Sequence, residues 1–538
     1  MRLIRLISLF LVLAFLLTGC FYSRIFDMIT MSATAFDEMI YTRPDVETIQ
    51  SAADTVILSV EEEDSLITLT TKIMDFESLC TDYITNYHLS NIHYSSDLTS
   101  AYWEEEYNFC LENTAKLEQI QEQVYRTLAR SPYREDLEDE TLYGEDFFAD
   151  YDGEALWDDY FVSLSEQEAN LESRYYELCD EADPAADDYY DTYALEMAQV
   201  YVEMVALRQE MAEYAGYPSF AHYTYDTYYG RDYTPEEAEV YLEAIGEALL
   251  PVYDALFQAS DWGYSWEPCS EATAYRYVRE AAQAMGGTIS EAFTHLDRYQ
   301  LYDIQYSENK YNASFEVFLP SYMQPFIFMN PSGDQSDRLT LAHEFGHFAN
   351  DYACGGSYAG IDVAEVHSQG FEYLSLCYNR NTEELKNYKM VDSLFSFMQC
   401  SAHALFELQV YQLTGDQLTV ENILKIQEDV SMRFGFDRLQ WESLDFVGIT
   451  HFYTSPMYMV SYVVSNDLAM QIYQKELEDP GMGLALYNRC LESNESRIVG
   501  FAQTYGLLPP FAQRRPQELA AFFRDAFGVL LVGKSHAA

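Results

Sequence analysis

The chain has 538 residues, 49% of them hydrophobic, enough apolar material for two or more cores and too much for a disordered protein. Its formal charge is -59, from 30 Lys plus Arg against 89 Asp plus Glu. That balance argues against nucleic acid as a partner, because phosphates would be repelled, and its plainest meaning is an acidic, solvated surface.

At the N-terminus Arg2 and Arg5 precede an apolar run from Leu6 to Leu17, closed by Leu17-Thr18-Gly19-Cys20. The run is shorter than the ~20 apolar residues of a spanning helix. The segment resembles a bacterial lipoprotein signal. The resemblance implies removal of residues 1-19, a lipid on Cys20, and a body tethered to the extracytoplasmic face of the cell membrane. Beyond Cys20 stand Cys80, Cys110, Cys179, Cys269, Cys354, Cys377, Cys400 and Cys490, scattered, with no CxxC pair and no metal-site spacing.

From about Phe21 to Ala206 the chain reads as mostly helix. Leu111 to Leu128 and Ser163 to Leu178 mix apolar and charged residues at helical spacing. Between them the acidic, aromatic stretch Ser131 to Tyr160 reads as an exposed loop with short helices, and His88 and His93 as surface or structural residues. From residue 201 a second region begins. Thr234 and Pro235 supply an N-cap and a first helical position, and long helices continue to about Leu296. Two short strands follow, over Ser314 to Leu319 and Pro325 to Asn330.

Next comes His343-Glu344-Phe345-Gly346-His347. Histidines four apart share one helix face, so both imidazoles can reach one cation, and the adjacent glutamate is placed to act as a base. Either Asp334 or Ser336 can cap this helix, Leu341, Phe345 and Phe348 give it an apolar stripe, and Gly355 and Gly356 end it. A further helix, roughly Asp362 to Tyr378, offers a third ligand. Spacing leaves Asp362, Glu365 and Glu372 all open, with Glu365 and Glu372 on one face.

The run Leu341 to Phe348, followed by Ala364-Glu365-Val366-His367-Ser368-Gln369 and Glu372, resembles the M3 family of zinc metallopeptidases, the oligoendopeptidase F and thimet oligopeptidase group. A second patch, His451-Phe452-Tyr453-Thr454-Ser455-Pro456-Met457-Tyr458-Met459-Val460-Ser461-Tyr462, is similar to the same family's C-terminal segment. The N-terminal part matches in helical character only. The chain departs from the family in carrying His367 where a proline is usual, Val460 where a tyrosine is usual, and a shorter interval before Glu365.

The resemblance implies a mainly α-helical, zincin-type fold: two helical halves enclosing a deep substrate channel, with a small β-sheet beside the motif helix. It further implies an N-terminal helical domain over residues 20-200, a catalytic domain over residues 201-525 and a tail at 526-538. One Zn²⁺ would be held by His343, His347 and Glu365. Glu344 would be the base, and Tyr462, Tyr458 and His451 would serve the substrate, the tyrosines as donors to the carbonyl oxygen. Asp362 or Ser368 could orient the ligands. The expected activity is endopeptidase cleavage of short oligopeptides. The alternatives are a helical zinc carboxydipeptidase and a peptide-binding lipoprotein without catalysis.

Overall fold

Proline is sparse and apolar residues recur at helical spacing through most of the chain, so the architecture is dominated by helices. The computed structural model describes residues 33-139, 142-144, 146-153, 157-182, 189-258, 267-356, 360-439, 443-493 and 495-532. The signal-like segment with Cys20 lies outside the described residues. Among them no helix is long and apolar enough to cross a membrane.

The first half contains α1 (Val46–Glu61), α2 (Leu66–Ser96), α3 (Ala101–Ala129), α4 (Asp159–Glu181) and α5 (Leu195–Tyr214). Asp45, Ser65, Ser100 and Asp158 each cap the helix that follows, accepting from its first free N–H groups. The stretch between α3 and α4 is less exposed than its charge suggests. Leu137, Tyr143 and Phe148 are buried, and Tyr143 donates to the buried Glu77 at 2.8 Å. Glu135, Asp136, Asp139, Asp146 and Asp152 face water while Tyr143 and Phe148 between them fill the core, a separation that average polarity conceals.

Next come α6 (Pro235–Gln258), α7 (Glu271–Met285) and α8 (Gly287–Tyr299). At the start of α6 the Thr234 hydroxyl accepts from Glu237 N and the Glu237 carboxylate accepts from Thr234 N, a reciprocal cap. Three strands follow: β1 (Tyr302–Asp303), β2 (Ser314–Leu319) and β3 (Gln324–Met329). The sheet order is β1-β3-β2, with β1 parallel and β2 antiparallel to the central β3. The two strands read in the sequence are present; the two-residue β1 is too short to leave a periodic signal. Every residue of β3 is buried, whereas β2 is half-buried along one edge.

Two helices, α9 (Asp337–Cys354) and α10 (Ile361–Tyr378), pack against each other and lie beneath the sheet and beside α13, respectively. They are followed by α11 (Glu383–Val410), α12 (Val420–Phe434) and α13 (Met459–Glu478), and the last described helix, Arg515–Val532, packs on α6. The N-terminal helices are bound to this half by specific contacts. Thr85 Oγ1 and Ser321 Oγ lie 2.8 Å apart, and Ser96 Oγ donates to Asp303 at 2.7 Å. A cavity of about 720 Å³ opens between α2 on one side and β2, α9, α10, α11 and the start of α13 on the other. Cys80, Cys110, Cys179, Cys269, Cys354, Cys377, Cys400 and Cys490 are all free thiols.

Candidate active site

The approach to α9 is fixed by three carboxylate contacts. Asp337 accepts from Ser332 N at 2.9 Å and Gly333 N at 2.8 Å, and Asp334 accepts from Ser336 N at 2.8 Å. Neither expected cap therefore acts as one. Ser336 stands at the cap position without a side-chain bond to the helix, because its hydroxyl is spent on Asp334. Within α9, Phe345 is fully buried against Phe293 of α8 and Phe371 of α10. Gly346 lets α10 come close: a Cβ there would lie 2.5 Å from Ser368 Cα and 2.6 Å from His367 O.

That close approach brings two helices' polar groups together. His343, His347 and Glu365 each offer one ligand atom, all within 4.8 Å of one another. The two imidazole Nε2 atoms are 3.3 Å apart, and Glu365 Oε2 lies 3.3 Å from His343 Nε2 and 3.9 Å from His347 Nε2. Two ring nitrogens and a carboxylate oxygen facing one point require a positive centre there. Burial opposes charge on His343, but Glu365 and Glu372 outweigh it and raise the ring to about 9; burial lowers His347 to about 4. Two nitrogens and one oxygen with space beside them are the donor set of a catalytic zinc site, so these residues fit such an ion.

The three carboxylates that spacing left open separate here. Glu365 faces both histidines. Glu372, two turns later, sits behind the first ring, with Oε1 2.9 Å from His343 Nδ1 and Oε2 2.6 Å from Lys389 Nζ. Asp362 turns away, accepting from Tyr233 at 2.9 Å. The orienting partner of an imidazole is thus Glu372, not Asp362, while Ser368 donates to Glu365 Oε2 at 3.0 Å. His367 points away from the site into a pocket against Tyr487 and Phe501, where burial lowers its pKa to about 3.

Glu344 is 5% exposed and lines the cavity. Burial raises its carboxyl to about 7, with His343 and Ser314 pulling the other way. Across the cavity His451, Tyr458 and Tyr462 form a cluster with ring centroids 5.0 to 6.1 Å apart. The Tyr458 hydroxyl donates to Glu365 Oε1 at 2.9 Å. Burial holds both phenols well above their usual pKa, so they remain protonated donors. Burial likewise lowers His451 to about 4 and keeps it neutral.

Sequence reasoning overlooked several residues of this wall. Glu316 of β2 and Asp351 of α9 face the same space, and burial raises both carboxyls, Asp351 to about 7. Asp351 follows His347 by four residues, so the helical period that paired the histidines also places it on their face. His88, read as a surface or structural residue, lines the far wall. Lys389 lies on α11 and left no local signal.

Residues 36–154 match a family model described as Peptidase M3 N-terminal domain, in the part of the chain where the sequence reading saw helical character alone. No curated protein matches the sequence. Among solved structures, a provisionally assigned oligoendopeptidase F is 18% identical with a TM-score of 0.80, covering 92% of this chain and 99% of its own. A structure of PZ peptidase A with an inhibitor is also 18% identical, with a TM-score of 0.77 and coverage of 92% and 99%. Oligoendopeptidase-F from Enterococcus faecium is 14% identical, with a TM-score of 0.54 and coverage of 91% and 99%. The chain shares the fold of oligoendopeptidase F-like peptidases.

Proposed function

We propose that this chain is a zinc-dependent endopeptidase that hydrolyses internal bonds of short oligopeptides. The observation that carries the reading is one constellation: His343, His347 and Glu365 converge on a point beside buried Glu344, with Tyr458 and Tyr462 opposite, in a cavity of about 720 Å³. His343, His347 and Glu365 would hold the ion. When bound, zinc supplies Lewis acidity, polarising a carbonyl oxygen and making water nucleophilic at neutral pH.

The protein's own groups account for the remaining work. β2 has β3 on one side, and residues 313–318 line the cavity, so an extended peptide can pair with its other edge and be gripped by its backbone. Glu344 takes the proton from the attacking water and delivers it to the departing amine. A carboxyl raised to about 7 suits both transfers. Negative charge develops on the carbonyl oxygen, and the phenol of Tyr462, with Tyr458, donates to it. Glu372 fixes the ring of His343 so that Nε2 faces the ligand point.

The lipoprotein-like sequence through Cys20 supports a tether at the extracytoplasmic face of the cell membrane, reached by peptides from outside. Radiolabelled lipid incorporation that Cys20→Ser abolishes tests that location. A ladder of peptide lengths, digested by purified protein with chelator and zinc add-back and read by mass spectrometry, tests the activity. Internal cleavage restored by zinc is expected. Release of C-terminal dipeptides alone would replace the endopeptidase reading with a carboxydipeptidase. No cleavage of any peptide, with or without zinc, would leave a binding protein.

A further inference from the structure

The turn that presents Tyr458 is an unfavourable piece of backbone, closed by its own Tyr458 N to Ser455 O bond of 3.2 Å and braced from outside by buried side chains. Met457, directly before Tyr458, has a φ of 64°, a left-handed conformation uncommon for a residue with a side chain. Its N–H donates to Glu407 Oε1 at 3.0 Å, and its carbonyl accepts from Arg231 Nη2 at 3.0 Å. The preceding carbonyl, of Pro456, accepts from the Tyr229 hydroxyl at 2.7 Å. Further back, Arg208 donates to the carbonyls of Phe452, at 2.8 Å, and Tyr453. Arg208 is 1% and Arg231 8% exposed, and Glu407 is fully buried.

Arg231 reaches further groups as well. Its Nε is 3.5 Å from Asp362 Oδ2 in the first turn of α10, and its Nη2 also donates to Ser461 Oγ in α13 at 2.8 Å. The guanidinium is seated between aromatic faces, 4.1 Å from the Tyr229 ring centre and 4.3 Å from that of Tyr225. Asp362 stands one helical turn before Glu365, and Met457 one residue before Tyr458. A single rigid cation therefore spans the roots of the two side chains that meet in the Tyr458 to Glu365 hydrogen bond.

We propose that Arg231 is a positioning residue that locks the Tyr458 turn to the Glu365 helix and so sets where the phenol stands relative to the ligand carboxylate. The proposal rests on the role given to Tyr458 above. Arginine is suited to the place, since it presents a planar fork of several donors that can bond in two directions while its face stacks on aromatic rings, a geometry that lysine's single ammonium does not reproduce. Catalytic groups displaced by a fraction of their contact distance lose rate without losing substrate affinity.

The test is a double-mutant cycle on the zinc-loaded full chain, with Arg231→Lys, Tyr458→Phe and the pair, measuring kcat and KM on a quenched peptide together with hydrogen exchange. Arg231→Lys is expected to lower kcat on the order of 10- to 100-fold with KM within about twofold. Exchange should quicken in the Ser455 to Ser461 peptide and not in the peptide holding His343 and His347. The double variant should be no slower than Tyr458→Phe alone, because both act through one phenol. Losses that multiply, or unchanged exchange at Ser455 to Ser461, overturn the proposal. An unaltered kcat in Tyr458→Phe overturns the donor role instead, and the exchange result then decides the lock by itself. Should Arg231→Lys fail to fold, Ser461→Ala, which removes one acceptor of the same guanidinium, takes its place, with a smaller loss and the same expected non-additivity.

Discussion

Glu372 bridges His343 and Lys389, one carboxylate oxygen 2.9 Å from the ring Nδ1 and the other 2.6 Å from the ammonium. The pair is buried, so the carboxylate's charge acts on the imidazole with little screening and makes its far nitrogen a better ligand. Glu372→Gln is expected to weaken zinc binding on the order of 10- to 100-fold, read by competition with a fluorescent chelator. It also leaves the Lys389 charge without that partner, and a lower melting temperature should accompany the change. Unaltered zinc affinity would reduce Glu372 to a structural ion pair.

Glu344→Gln keeps the size of the side chain and removes its basicity. Zinc content should be retained while kcat falls by about 10²- to 10⁴-fold. Full turnover on a quenched peptide would assign the base elsewhere.

Tyr462→Phe deletes a hydroxyl and little else. If that hydroxyl serves the developing oxyanion, kcat should drop roughly 10²- to 10³-fold with KM little changed. A rise in KM at constant kcat would make Tyr462 a ground-state contact.

Gly346→Ala inserts a carbon where the backbone of Ser368 and the His367 carbonyl already stand. Neither neighbour is a flexible side-chain end, so the helices must part. A stability loss of about 1–3 kcal/mol is expected from such overpacking, together with weaker zinc binding as Glu365 moves off with α10. Gly448→Ala, which meets nothing within 4 Å, is the control. Equal melting temperatures for the two variants would contradict the close approach.

Glu77 predicts a pH dependence of stability. Burial raises its carboxyl from 4.5 to about 7 against the opposing pull of Tyr143 and Tyr125. Between those values the folded chain keeps a proton that the unfolded chain has released, so stability falls as pH rises from 4.5 through about 7. Denaturant titrations of the metal-free protein across that range should show the decline, and Glu77→Gln should make it shallower, the remainder coming from other raised carboxyls such as Glu344 and Asp351. An unchanged slope in the variant would locate its source in other groups.

The sequence made legible what helical period and turn chemistry encode. His343 and His347 share a face, Phe345 and Phe348 pack on the other side, Thr234 caps a helix, and two strands precede the motif. It left open what depends on how two helices slide past each other. Asp362, Glu365 and Glu372 are all within reach by spacing, and the axial offset of α10 against α9, set by Gly346 and Phe371, decides that one faces the ring nitrogens, one backs a ring and one turns away. Lys389 and Arg231 come from remote helices and had no local mark. Asp351 lies within reach of the same periodicity, four residues beyond His347, but the apolar stripe of Leu341, Phe345 and Phe348 is the stronger signal in that helix and masks it.

An unpaired strand edge is ordinarily a hazard, since it offers itself to any other strand, and proteins blunt such edges or cover them. In β2 the edge is neither charged throughout nor capped by another strand among the described residues; it faces inward, across the cavity from Ile84 and His88 of α2. The helical wall thus acts as a filter on molecular shape. On the proposed function, a lone extended peptide would reach the edge, and the edge of a second folded copy would not. The arrangement keeps a sticky surface open to small guests while removing it as a route to aggregation.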